Sequence, residues 1–131
     1  MGDSICLDTD FLIDFLRNKK EAVDWIKENE LKSELSTTTI NIFELFTGAH
    51  KSTNPEQKIK LVNELIDRLL ILNLSIKSSE FAGKERARLE KEGNMIDNRD
   101  LLIGAIASTE GVSLKTNTRK HLDRITGLDL V

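Results

Sequence analysis

The chain has 131 residues, of which 39% are hydrophobic and 31% charged, and its formal net charge is -3. This length favours a single domain over residues 1–131, and the composition is typical of a globular fold rather than a disordered chain. The acidic balance excludes a generally basic surface for nucleic acid, so a nucleic-acid ligand would need a local basic patch. Because no apolar run approaches the roughly 18 residues of a transmembrane helix and no signal-peptide pattern is present, we expect a cytoplasmic protein without membrane contact. The single cysteine, Cys6, fits a reducing compartment, and its simplest role is that of a small buried hydrophobe.

The N-terminal stretch predicts a buried strand that turns directly into a helix. Residues 5–7 are apolar, and apolar side chains recur at helical spacing over residues 11–16. The polar residues between them place Asp8 at the carboxyl end of the strand, which is the edge where open α/β sheets bind ligands. The alternative is that Asp8 or a neighbour merely caps the helix.

The rest of the chain alternates between helical and strand patterns. This alternation predicts an α/β fold, a three-layer α/β/α sandwich with a central four- or five-stranded, mainly parallel sheet. Helices are predicted at residues 21–30, 41–48, 55–69, 78–92, 97–108 and 119–125, and strands at residues 35–40, 70–74, 112–114 and 128–131.

The helix at residues 41–48 is predicted to begin with Asn41 as its N-cap. Glu44 follows at the spacing of a capping box, which is one explanation for it. However, Glu44 is flanked by aromatic and aliphatic residues, an unusual setting for a solvated acid. Gly48 is expected to mark the end of this helix or a close helix contact.

The helix at residues 97–108 is apolar nearly all round, which predicts that it is buried. Asp97 and Asp100 have the spacing of a cap and its third helical residue, so capping again is an alternative. An acid in the first turn of a buried helix is nevertheless expected to point into a site rather than into bulk water. On the preceding helix, Lys84 and Arg88 share a face that is either solvated, which we favour, or a phosphate-contacting ridge.

Three carboxylates thus stand where a strand or loop ends and a helix begins, namely Asp8, Glu44 and Asp100. In a parallel sheet such junctions share one edge, where three acids would repel one another unless a cation lay among them. Hard divalent ions such as Mg²⁺ or Mn²⁺ prefer oxygen ligands, and a metal held there could activate water and offset phosphodiester charge.

Four segments, in order, resemble the motifs of the PIN-domain ribonucleases, and most closely the VapC-type toxins of toxin–antitoxin pairs. They cover nearly the whole chain. The segments are residues 7–10 (LDTD), 41–49 (NIFELFTGA), 100–107 (DLLIGAIA) and 114–125, which opens with LKTN and closes with RI.

The resemblance implies that Asp8 and Asp100 are metal ligands and that Glu44 completes the acidic site. It also implies endonucleolytic cleavage of RNA by metal-activated water, a homodimer, and a small antitoxin that blocks the site. The family often has a fourth acid near the last strand, where this chain has Asn117 and Thr118. The number of metal ions therefore stays open, and the secondary site candidates are Asp97, Thr116 and Asn117.

Two other functions remain as alternatives. One is an aspartyl-phosphate phosphohydrolase of the haloacid-dehalogenase type, because residues 8–10 also match its D-x-D opening. That hypothesis requires a later lysine and a paired-acid motif, and residues 97–100 match this motif poorly. The other is a non-catalytic binding module in which the acids are only helix caps and an apolar surface binds a protein.

Overall fold

The computed structural model describes residues 3–131. Its central sheet has four parallel strands in the order β3-β2-β1-β4. The strands are β1 (Ser4–Leu7), β2 (Glu34–Thr38), β3 (Leu70–Leu72) and β4 (Ser113–Lys115). The helices are α1 (Thr9–Leu16), α2 (Lys20–Asn29), α3 (Thr39–Lys51), α4 (Pro55–Ile66), α5 (Ile76–Glu92) and α6 (Asn98–Glu110), with a 3₁₀ turn at Leu122–Arg124.

Two apolar clusters cover the two faces of the sheet, which confirms the predicted α/β/α sandwich. Ile5 and Leu7 of β1 point into the cluster shared with α1 to α4, whereas Cys6 points into the cluster shared with α5 and α6. This follows from the two-residue period of a strand that is buried on both sides. Cys6 is fully buried, and burial raises the pKa of its thiol to about 12, as expected of a packing residue.

The boundary between β2 and α3 differs from the prediction. The β-branched run suggested a strand to residue 40, but the strand ends at Thr38, which is the N-cap of α3. Thr38 and Asn41 form a reciprocal capping box, so Asn41 is the third helical residue rather than the cap. Glu44 is therefore not part of a capping box. Gly48 neither ends the helix nor marks a close helix contact, because α3 continues to Lys51 and a Cβ added at Gly48 would have no atom within 4 Å.

The C-terminal segment also differs from the prediction. The helix expected at residues 119–125 is only the 3₁₀ turn, because His121 has a φ of 76°, outside the helical range. The strand expected at residues 128–131 reduces to one isolated bridge between Leu114 and Leu130. This segment packs closely on α6, since a Cβ added at Gly104 would collide with the Ile125 side chain. No helix within residues 3–131 is long and apolar enough to cross a membrane.

A buried ion pair fastens α5 to that C-terminal segment. The Glu85 carboxylate, 2% exposed, accepts bonds from the Arg88 guanidinium at 2.9 and 3.1 Å and from the backbone N–H of Thr126 at 2.7 Å. Arg88 also donates to the carbonyl oxygen of Arg124 at 2.7 Å. The hydrogen bond from Arg88 is the main reason that the pKa of Glu85 is lowered to about 2. The Arg88 guanidinium is thus engaged in these hydrogen bonds and does not form a free phosphate-contacting ridge.

We expect Glu85→Gln to lower the free energy of unfolding at neutral pH by on the order of 2–3 kcal/mol, because the depressed pKa means that folding favours the ionised form. This contribution is present above the ordinary pKa of 4.5 and is lost as the pH falls towards 2. Urea unfolding at several pH values measures it, with the exposed Glu80→Gln on the same helix as control. Equal stability of Glu85→Gln and the unaltered chain at pH 7 would show that the Glu85–Arg88 ion pair does not stabilise the contact between α5 and the C-terminal segment.

Candidate functional site

Three neighbouring strands end at one edge of the sheet, and each delivers a polar side chain there. Asp8 follows β1, Thr38 ends β2 and Thr116 follows β4. The backbone N–H of Asp8 continues the pairing to β4 through a 2.9 Å bond to the Lys115 carbonyl. Because the strands are parallel, the helices that follow β1 and β2 also begin at this edge.

The Asp8 carboxylate is almost completely enclosed, with 1% of its side chain exposed. One oxygen accepts from the backbone N–H of Thr9 at 2.8 Å, from Asn41 Nδ2 at 2.9 Å and from Arg99 Nη2 at 2.7 Å. The other oxygen accepts from Thr116 Oγ1 at 2.7 Å. Only the first of these is a helix-capping bond, so capping alone does not explain why Asp8 is buried with three further donors.

Glu44 and Asp100 reach the same position from α3 and α6. Glu44 Oε2 accepts from Arg99 Nε at 2.6 Å, and its other oxygen accepts from Thr9 Oγ1. Asp100 Oδ1 accepts from Arg99 Nη1 at 2.6 Å. The Glu44 side chain is 27% exposed and that of Asp100 16%, so the cluster opens to solvent on their side.

Arg99 therefore stands at the centre of the three predicted acids and bonds to each through a different nitrogen. Its partial burial would lower the pKa of the guanidinium, but the hydrogen bond to Glu44, the charge of Asp8 and the hydrogen bond to Asp100 outweigh this and raise the pKa. Within residues 3–131, no three carboxylate, imidazole or thiol side chains are arranged so that together they could hold a metal ion. The carboxylates point at Arg99 instead. Sequence reasoning did not single out Arg99.

The secondary candidates fall on two sides of this cluster. Thr116 is buried and bonds to Asp8, whereas Asn117 donates from its backbone to Asp10 at 3.2 Å and from its side chain to Asp14 at 2.9 Å. Asp97 is exposed at the start of α6 and makes no side-chain capping bond. The idea that Asp97 replaces a fourth acid stays a prediction.

Asp10 is a further acid at this edge, whose place in the sequence also fits a helix cap or the second acid of a D-x-D opening. Its carboxylate accepts from Thr118 Oγ1 at 2.9 Å and lies 3.4 Å from Thr116 Oγ1, the hydroxyl that donates to Asp8. Asp10 therefore stands beside the position where a fourth acid was sought. Its presence in the first helical turn after Asp8 was a signal that the sequence already offered.

Comparisons with known proteins show the family to which the chain belongs. A profile of the PIN domain matches residues 5–127. The chain belongs to the PIN-domain family. This confirms the family that the four motifs indicated.

Individual relatives carry the name VapC. The chain is 30% identical over 122 residues to Ribonuclease VapC2 of Haemophilus influenzae and to tRNA(fMet)-specific endonuclease VapC of Salmonella typhimurium, covering 93% of this chain and 92% of each relative. Among solved structures, it is similar to VapBC2 of Rickettsia felis bound to a DNA fragment from its promoter, with a TM-score of 0.91, 28% identity, and coverage of 98% and 97%. DNA-bound VapBC of Salmonella typhimurium gives a TM-score of 0.89 and 27% identity, covering 100% of this chain and 98% of the other. The predicted likeness to VapC-type toxins is thus confirmed.

Asn41 is the residue that ties α3 to the acids, and we expect Asn41→Ala to destabilise the protein. Its fully buried amide donates to Asp8 and to Thr9 Oγ1 and accepts from Thr38. Removal takes one hydrogen-bond partner away from each of several buried polar groups, at a cost of about 2–3 kcal/mol in the free energy of unfolding.

Urea unfolding of the two proteins measures this loss. The exposed Asn63→Ala on α4 is the matched control and should change stability by less than about 0.5 kcal/mol. If Asn41→Ala unfolds at the same urea concentration as the unaltered chain, Asn41 does not support the site.

Proposed function

We propose that this chain is a divalent-metal-dependent endoribonuclease and the toxin of a toxin–antitoxin pair. One observation carries the proposal: carboxylates that follow β1, lie on α3 and open α6 meet around a single cation at the carboxyl edge of the sheet. Its membership of the PIN-domain family and its relatives named VapC ribonuclease support the same conclusion. Two relatives are named for tRNA(fMet), which makes that RNA the first substrate to test.

The donor set fits a hard divalent ion, because all three acidic side chains offer oxygen and already gather around one positive charge. We assign Asp8, Glu44 and Asp100 as the residues that would hold Mg²⁺ or Mn²⁺. A bound metal would supply an activated water molecule and offset charge on a phosphodiester.

The chain's own residues prepare this site in a defined way. Asn41 and Thr116 hold the two oxygens of Asp8 from opposite sides, and Thr9 fixes one oxygen of Glu44. Such outer hydrogen bonds orient ligands. We further propose that Asp10, beside Thr118, takes the place of the family's fourth acid.

The two alternative functions fit the structure less well. A phosphohydrolase would need the Asp8 carboxylate as an accessible nucleophile, yet Asp8 is 1% exposed and both of its oxygens accept hydrogen bonds. A purely structural role as helix caps does not account for Glu44 and Asp100, whose carboxylates bond to Arg99.

We propose that the partner is a small antitoxin seated in an apolar groove beside the acids. The groove, about 190 Å³, lies between α1, α3 and α4 and includes Glu44 in its wall, so a bound segment would reach the acidic site. The apolar lining of the groove comprises Ile13, Leu16, Leu45, Ala49, Leu61 and Val62. Chains in solved VapBC complexes are similar in fold to this chain.

On the resemblance alone we also propose a homodimer. An RNA substrate and a single buried cysteine fit a cytoplasmic location.

Purified protein should cleave RNA only when Mg²⁺ or Mn²⁺ is present, and Asp8→Asn and Asp100→Asn should lose cleavage while staying folded. Asp10→Asn should lower the rate by about 10- to 100-fold, as expected of a supporting acid. The measurement is cleavage of a tRNA mixture on denaturing gels, with and without EDTA, and circular dichroism reports folding.

The exposed Asp67→Asn, at the end of α4, is the matched control and should cleave normally. Undiminished cleavage by both Asp8→Asn and Asp100→Asn, or full activity in excess EDTA, would refute the proposed mechanism.

The groove can be blocked without disturbing the fold, because Gly48 lines it and a Cβ there touches nothing within 4 Å. We expect Gly48→Gln to weaken binding of the antitoxin, which we expect the gene directly upstream to encode, by about tenfold or more, while RNA cleavage continues. Copurification and calorimetry measure the binding, and light scattering reports the homodimer.

Gly83→Gln on α5 is the matched control, since Gly83 also has open space around its Cβ position. It should bind the upstream protein normally. Equal binding by both glutamine variants would rule out this groove as the antitoxin site.

A further inference from the structure

Arg99 is the one residue of the acidic site to which neither the motifs nor the proposed mechanism gives a task. Its guanidinium donates Nη2 to Asp8 at 2.7 Å, Nε to Glu44 at 2.6 Å and Nη1 to Asp100 at 2.6 Å. Asp8 and Glu44 lie 91 and 55 residues from Arg99 in the sequence, so these two contacts are tertiary, whereas Asp100 is its neighbour on α6. All three nitrogens of the side chain are used, one for each carboxylate.

The location of Arg99 conflicts with the local preference of a helix. It is the second residue of α6, where the positive end of the helix dipole disfavours a cation by about 0.3–1 kcal/mol. The three carboxylates compensate for this, because without a positive charge they would repel one another in a partly buried pocket. The acids therefore explain why an arginine is tolerated here.

The guanidinium and a divalent ion would compete for the same carboxylate oxygens. Each of the three proposed metal ligands already directs an oxygen at Arg99, and in this arrangement no three acids of the described chain meet at a metal-holding point. The Arg99 side chain is 31% exposed and unbranched up to its guanidinium, so it has a path to solvent.

We propose that Arg99 is a built-in counter-cation that holds the acidic pocket in its metal-free form and must leave it when the metal binds. The inference rests on the proposed metal site. Metal binding and release of Arg99 are then one coupled equilibrium, so the tethered arginine weakens the apparent metal affinity and protects the empty pocket from charge repulsion.

The test is calorimetric titration of metal-free protein with Mn²⁺, using the unaltered chain, Arg99→Gln and Arg99→Lys. Arg99→Gln should bind Mn²⁺ about tenfold or more tightly, because nothing has to be displaced. Its melting temperature without metal should be lower and its rise on adding Mn²⁺ larger. Arg99→Lys keeps the positive charge but not the planar guanidinium that bonds to all three carboxylates. Its Mn²⁺ affinity should therefore lie between those of the unaltered chain and Arg99→Gln.

Arg68→Gln is the matched control, since it removes the same charge from an exposed ion pair with Glu30. Its Mn²⁺ affinity should stay within about twofold of the unaltered chain, because exposed charges at a distance are screened. Tighter binding by Arg99→Gln alone supports the counter-cation.

Two results would overturn the inference, and they are distinguishable. If the unaltered chain binds Mn²⁺ and cleaves RNA, but folded Arg99→Gln and Arg99→Lys bind the ion equally or more weakly, Arg99 is not a competitor and the proposed function stands. If none of the proteins binds Mn²⁺ at millimolar concentration, the metal site and the proposed function fail together.

Discussion

The buried carboxylate of Asp8 is the constraint on which the rest of the site depends. A carboxylate that is 1% exposed is tolerated only when donors and charges replace its water. Here the donors come from the start of α1, the first turn of α3, the first turn of α6 and the end of β4. One side chain thus requires four separate segments to meet at one edge, and the strand order, with β1 between β2 and β4, brings them there.

The parallel sheet also supplies part of the electrostatic balance. Helices α1 and α3 begin at this edge directly after their strands, and α6 begins there too, since its first turn carries Arg99 and Asp100. Each helix start presents partial positive charge and free N–H groups, which favour anions. This explains how several acids can gather in a chain whose net charge is only -3. The Arg99 guanidinium offsets part of the negative charge that remains.

Much of this architecture could be predicted from the sequence, because it depends on local periodicity. Local patterns predicted three of the elements: the apolar run predicted β1, Pro55 predicted the start of α4, and the continuous apolar stretch predicted α6. Asp8 and Asp100 could be singled out because each stands at a junction between elements, and Glu44 because aromatic and aliphatic residues flank it. The start of α3 was misplaced because Thr38 has both strand and capping preferences. The part played by Arg99 could not be predicted, since its contacts to Asp8 and Glu44 cross 91 and 55 residues of sequence and leave no periodic trace.

A tethered cation and a free divalent ion solve the same electrostatic problem with different consequences. The guanidinium is always present at high local concentration and satisfies three acids through directed bonds, so it keeps the pocket folded around like charges. It brings only one positive charge, however, against three negative ones, and it lacks the ability of a metal to polarise water. A divalent ion brings twice the charge but must dehydrate and displace the arginine. On the metal site proposed above, Arg99 therefore favours a stable metal-free pocket, and it would make metal binding depend on the concentration of free metal around the protein.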